Sequence, residues 1–92
     1  MVTPAPDRFL DVSDLEPCEP MERALQASAD LSEGQYLHLL HRREPHLLYP
    51  ILAERGFCWR TVADSETRFH VYIWRQGDQS AEQHAQNARH AD

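Results

Sequence analysis

The sequence predicts an α/β (α+β) domain: a two-layer sandwich of order β-α-β-α-β-β, with a four-stranded mixed sheet and two helices on one face. Three observations carry this expectation. Two segments repeat apolar residues at helical spacing, and four short segments are alternating or rich in aromatic and β-branched residues. Glycines and prolines punctuate the boundaries between them. Each helical segment lies between two strand segments, an order in which the helices most simply cover one face of the sheet.

Residues 1–7 are Pro-rich and read as a loose arm. Arg8–Ser13 alternates, with Leu10 and Val12 on one face of a strand. Asp14–Glu16 is a turn. Pro17 and Pro20 fit a helix only in its first turn, where their missing N–H groups cost nothing. Met21, Ala24, Leu25, Ser28 and Leu31 then recur at helical spacing, and Gly34 is the natural left-handed stop.

Gln35–Arg42 is the second strand, with Tyr36, His38 and Leu40 on one face and Leu37, Leu39 and His41 on the other. A second helix opens at Pro45 or His46 and carries a stripe of Leu47, Leu48, Ile51 and Leu52. Pro50 falls in its middle and is expected to kink or shorten it. Gly56 ends it. Phe57–Ala63 and Thr67–Arg75 are strands joined by a hairpin at Asp64-Ser65-Glu66. Residues 76–92 have only alanine for apolar residues, and are expected to bury little and form a disordered or partly helical tail. The domain proper therefore spans residues 8–75.

Ninety-two residues make one small domain, and 41% apolar composition suffices for a globular core. A net charge of -6 argues against nucleic acid or an anionic membrane as partner. No stretch approaches the roughly 20 apolar residues of a membrane span. The opening residues have neither a basic cap nor an apolar run, so no secretory signal is expected. Two cysteines, Cys18 and Cys58, are too few for a disulfide scaffold and fit a reduced, cytoplasmic setting.

Residues 8–75 resemble the TusA/SirA-like family of small sulfur carriers, and most of all its uncharacterised bacterial branch, a domain of unknown function. The likeness runs through Leu15-Glu16-Pro17-Cys18-Glu19-Pro20 before the first helix and the Glu33-Gly34 turn. It continues in His41-Arg42-Arg43-Glu44-Pro45-His46-Leu47-Leu48-Tyr49 and in Glu54-Arg55-Gly56 at the end of the second helix. The resemblance implies the sandwich fold and a cysteine that accepts a persulfide within a Cys-Pro-x-Pro motif. If Pro20 is the last proline of that motif, the carrier position is Pro17, and Cys18 stands one place later. That shift rotates the side chain by about 100° in a helical first turn.

The candidate sites follow from these segments. Cys18 at a helix N-terminus feels partial positive charge that favours thiolate, whereas Glu16, Glu19 and Glu22 oppose it. Cys18 is the candidate persulfide carrier, framed by Glu19 and Pro20, with Arg43 or His46 steadying an anion; its plainer role is a small packed cap. His41 and His46, with Cys18, offer donors for a transition metal, although solvated or hydrogen-bonded histidines explain them as simply. His38 and His41 lie on opposite faces of their strand, so only one can join such a set. If Phe69, Val71 and Ile73 face the helices, then His70, Tyr72 and Trp74 line the open face of the sheet, joined by Tyr36 and Trp59. This aromatic patch would suit a protein partner or a second copy in a homodimer, unless the tail covers it. Cys58 reads as a packed thiol.

The chain has three glycines, no phosphate-binding glycine loop and no Cys-x-x-Cys pair. The reading is therefore a binding or sulfur-relay module acting with a redox or metal partner, not a stand-alone enzyme. A metal-binding module and an aromatic interaction domain are the alternatives.

Overall fold

The computed structural model describes residues 7–13 and 19–88. The elements are β1 (Asp7–Asp11), α1 (Glu19–Ala29), β2 (Tyr36–His41), α2 (Leu48–Glu54), β3 (Phe57–Ser65), β4 (Arg68–Arg75) and α3 (Gln79–Asn87). The strands form one sheet in the order β1-β2-β4-β3. β1 and β2 run parallel, while β4 is antiparallel to both β2 and β3. The α+β class and the four-stranded mixed sheet are as the sequence predicts.

Strand parity assigns the faces. Leu37 and Leu39 on β2 and Val71 and Ile73 on β4 are fully buried against Ala24, Ala27 and Leu31 of the α1 segment and Leu48 and Leu52 of α2. α1 and α2 therefore share one face, as expected. The end of α1 is fixed by Arg75, which donates to the carbonyls of Leu31 and, at 2.8 Å, of Ala29. A guanidinium there satisfies carbonyls that a helix end leaves over.

Three details differ from the sequence expectation. α2 starts at Leu48, two or three residues late, so Pro50 lies in its first turn, where no helical N–H partner is lost and no kink is needed. β3 runs on to Ser65 with a register irregularity between Ala63 and Ser65, which moves the turn to Glu66-Thr67. Finally, the segment after β4, read as a disordered or partly helical tail that buries little, forms α3 and packs Ala81 and Ala85, both fully buried, on the second face of the sheet. Alanine is small, but over an aromatic floor it lets a helix approach closely, and it has the best helix propensity of any residue. Asp78 starts the helix by accepting from the N–H of Ala81 at 3.1 Å and ties it to the N–H of Gly34 at 2.8 Å. Helices thus lie on both faces of the sheet.

Candidate functional site

α1 ends beside Arg75, where β2 begins, so it starts at the opposite end of the sheet, where β2 finishes at His41. The segment 42–47 leaves from that same end. The first residues of α1 and the segment 42–47 therefore lie at the same end of the sheet. Cys18 lies outside the described residues. Its neighbours Glu19 and Pro20 are the first two residues of α1.

The 41–49 segment is organised around Glu44. Tyr49 donates its hydroxyl proton to Glu44 Oε2 at 3.1 Å. That proton being committed, the 2.6 Å contact between the Tyr49 and Thr61 hydroxyls has Thr61 as donor. Burial, above all, pushes the Tyr49 phenol up, which keeps it a donor. The imidazole Nε2 of His46 stands 3.7 Å from Glu44 Oε1, and its ring meets Tyr49 edge-on at 6.0 Å. Trp59 stacks on the Tyr49 ring at 5.1 Å and 6°. Trp59 therefore belongs to the α1–α2 face, a correction to its expected place among the open-face aromatics.

His41 accepts the N–H of Arg43 through Nδ1 at 3.0 Å, so its neutral form carries hydrogen on Nε2. Burial first, and then the charges of Arg42 and Arg43, hold His41 below the ordinary imidazole value of 6.5. The unfolded chain therefore takes this proton before the folded one does. The His41 contribution to stability is complete above about pH 6.5 and declines as pH falls below it. His41→Asn, which keeps an acceptor for the Arg43 N–H, is expected to lose less urea resistance between pH 7.5 and pH 5 than the parent chain. An equal loss in both would remove His41 from the account.

The structure brings His41, Arg43, His46 and Trp59 to one region, and adds Glu44, Tyr49 and Thr61, which the sequence reading had not selected. Among the described residues, no group of three or more His, Cys, Asp or Glu side chains is arranged to hold a metal ion.

Tyr72 and Trp74 occupy the second face with Tyr36, as parity predicts, but they are only 1% and 5% exposed because α3 covers them. They are not an open platform. Next to them lies a second polar group that local reading missed. His38 Nε2 and His70 Nδ1 are 2.7 Å apart, and His70 Nε2 is 3.7 Å from Asp64 Oδ2. His38 stacks on Tyr72 at 4.7 Å and takes the edge of Phe9 at 5.1 Å. The register pairs His38 with Tyr72 and Leu40 with His70, so the two imidazoles are diagonal neighbours on one face. Cys58 is half-buried at the margin of this face, consistent with a packed thiol.

Fold and site together define a small α+β domain with a polar, aromatic-backed segment at one end of its sheet. No helix among the described residues is long and apolar enough to cross a membrane. The chain belongs to the family described as "Uncharacterized conserved protein (DUF2249)", whose model matches residues 9–75. No curated protein and no solved structure matches it.

Proposed function

We propose that this chain is a cytoplasmic binding and sulfur-relay module, not a stand-alone enzyme, and that Cys18 is its carrier thiol. The observation that carries this reading is that α1 starts at the end of the sheet where β2 finishes. Glu19 opens α1 directly after Cys18, and the His41–Leu47 segment leaves β2 at the same end. The start of an 11-residue helix favours a thiolate. Leu47, 76% exposed at the entry to α2, gives a protein partner an apolar contact. Cys58 packs beneath α3 on the other face, which leaves Cys18 to carry sulfur chemistry. The resemblance to sulfur carriers supports the same assignment.

The step is redox-neutral. The Cys18 thiolate attacks the outer sulfur of a donor persulfide R–S–SH, forming Cys18–S–SH and releasing R–S⁻. A partner thiolate then takes the sulfur and restores the Cys18 thiol. Intact-mass analysis of the reduced protein after exposure to a low-molecular-weight persulfide tests this. One added sulfur is expected on the parent chain and on Cys58→Ser, and none on Cys18→Ser. No adduct on the parent chain, or equal labelling of both cysteines, would overturn the assignment.

A further inference from the structure

The segment between β2 and α2 carries exposed side chains on a pinned backbone. The Arg43 N–H bonds His41 Nδ1 at 3.0 Å, the His46 N–H bonds the Glu44 carbonyl at 2.9 Å, and the Leu48 N–H bonds the Pro45 carbonyl at 3.0 Å. The Tyr49 hydroxyl holds Glu44 at 3.1 Å, and Tyr49 is itself held by the Thr61 hydroxyl at 2.6 Å and the stacked Trp59 ring. Yet Arg42, Arg43, His46 and Leu47 are all exposed on this segment. Side chains presented on a fixed loop lose little freedom of the backbone when they bind.

The exposed surface is apolar at one part and cationic at another. Leu47 is 76% exposed, whereas Leu48 beside it is buried in the core. Leu47 already has helical dihedrals, so Pro50, three residues on and also exposed, falls on the same side of the first turn of α2. The two make a small apolar ridge. Glu44 is the one carboxylate from Gln35 to Ala53 in the sequence, and it is turned to Tyr49, with His46 Nε2 3.7 Å from its other oxygen. The charges of Arg42 and Arg43 both reach His41, whose imidazole burial first, and then these two arginines, hold below its ordinary value. Positive charge is thus gathered at one place in a chain of net charge -6, which fixes how an acidic surface can approach it.

We propose that Arg42, Arg43 and the Leu47–Pro50 ridge form the docking surface for a partner protein that presents carboxylates around apolar side chains. The carboxylates pair with the two guanidinium groups, whose planar forks suit bidentate contacts, while the ridge packs on the apolar centre. A small anion would leave the ridge unused. A second copy in a two-fold dimer would bring the same arginines against themselves. The inference rests on the reading of this chain as a module that binds a protein, and not on sulfur chemistry at Cys18. Persulfide uptake is read separately, by mass, so either assignment can fail without the other.

The test selects random displayed peptides on the full chain and labels the enriched ones with fluorescein. The expected sequences set Asp or Glu around bulky apolar residues. Anisotropy titrations should show affinity at least about tenfold weaker for Arg42→Glu with Arg43→Glu, and several-fold weaker for the parent chain at about 0.5 M than at about 0.05 M salt. Arg42→Gln with Arg43→Gln, which adds no repulsion, should fall between parent and reversal. Leu47→Ser should weaken binding several-fold at either salt concentration, because it removes apolar contact and not charge. The substituted side chains are all exposed, so far-UV circular dichroism of each variant should match the parent. Failure to enrich any peptide, enriched peptides without acidic residues, or binding that the charge reversal and Leu47→Ser leave unchanged would each overturn the proposal. So would a dimer in sedimentation that the charge reversal dissociates, since the occupant would then be a second copy.

Discussion

Leu39→Ala is expected to lower the unfolding free energy by about 2–5 kcal/mol, the range for emptying a fully buried leucine site. Leu39 is at 0% exposure on β2, an inner strand, opposite Val71 of β4, which is equally buried. Its cluster includes Ala24 and Ala27 of α1 and Leu48 and Leu52 of α2, so both helices lose a shared contact. Removing three carbons here deletes apolar burial and leaves a cavity that two helices and a sheet cannot jointly close. A domain of this size has about 5–15 kcal/mol in all, so the variant would be much of the way to unfolding at 37 °C. Phe9→Ala is the control. Phe9 is 55% exposed on edge strand β1, and its truncation should cost well under half as much. Urea titrations followed by far-UV circular dichroism would rank the two. A Leu39 loss no larger than the Phe9 loss would mean that the core does not lie between β2, β4 and the two helices.

The parts of this fold that sequence reasoning found are those whose signal is local. Alternation through Tyr36–His41 marks β2 and sorts its two faces, and Leu48 and Leu52 mark the buried side of α2. What it left open or missed depends on contacts distant in sequence. α3 has two alanines as its whole apolar stripe, too little for burial against anything but a ready-made aromatic floor. Its one local signal was Asp78 ahead of a run of good helix formers, a capping arrangement that apolar counting passes over. The face of Trp59 is fixed by the register of β3 against β4, and that register shifts at Ala63/Ser65. Because side chains alternate with period two, a one-residue difference at the hairpin moves Trp59 from one face to the other. The Glu44–Tyr49–Thr61 chain likewise exists only once α2 packs beside β3.

The histidine pair gives the second large effect. His70 is 2% exposed, and its Nδ1 meets His38 Nε2 at 2.7 Å; one of these two nitrogens must donate and the other accept. Asp64 stands 3.7 Å from the far nitrogen of His70 and is itself paired with Arg68 at 3.2 Å, so the pair joins β2, β4 and β3 across one face. Replacing His70 by leucine keeps most of the volume but leaves a polar nitrogen of His38 facing hydrocarbon, and is expected to cost about 1–3 kcal/mol. His38→Leu should cost less than that, since His38 is only partly buried and its stacking on Tyr72 gives way to another apolar contact. The informative quantity is the double variant. If the two rings act as one hydrogen-bonded unit, His38→Leu with His70→Leu removes both partners together and leaves neither stranded. Its loss should then fall short of the sum of the single losses by about 1 kcal/mol or more. Urea unfolding of the four proteins at one pH closes the cycle. Strictly additive losses would show that the imidazoles fill space independently, and the short contact would carry no weight in holding the inner strands together.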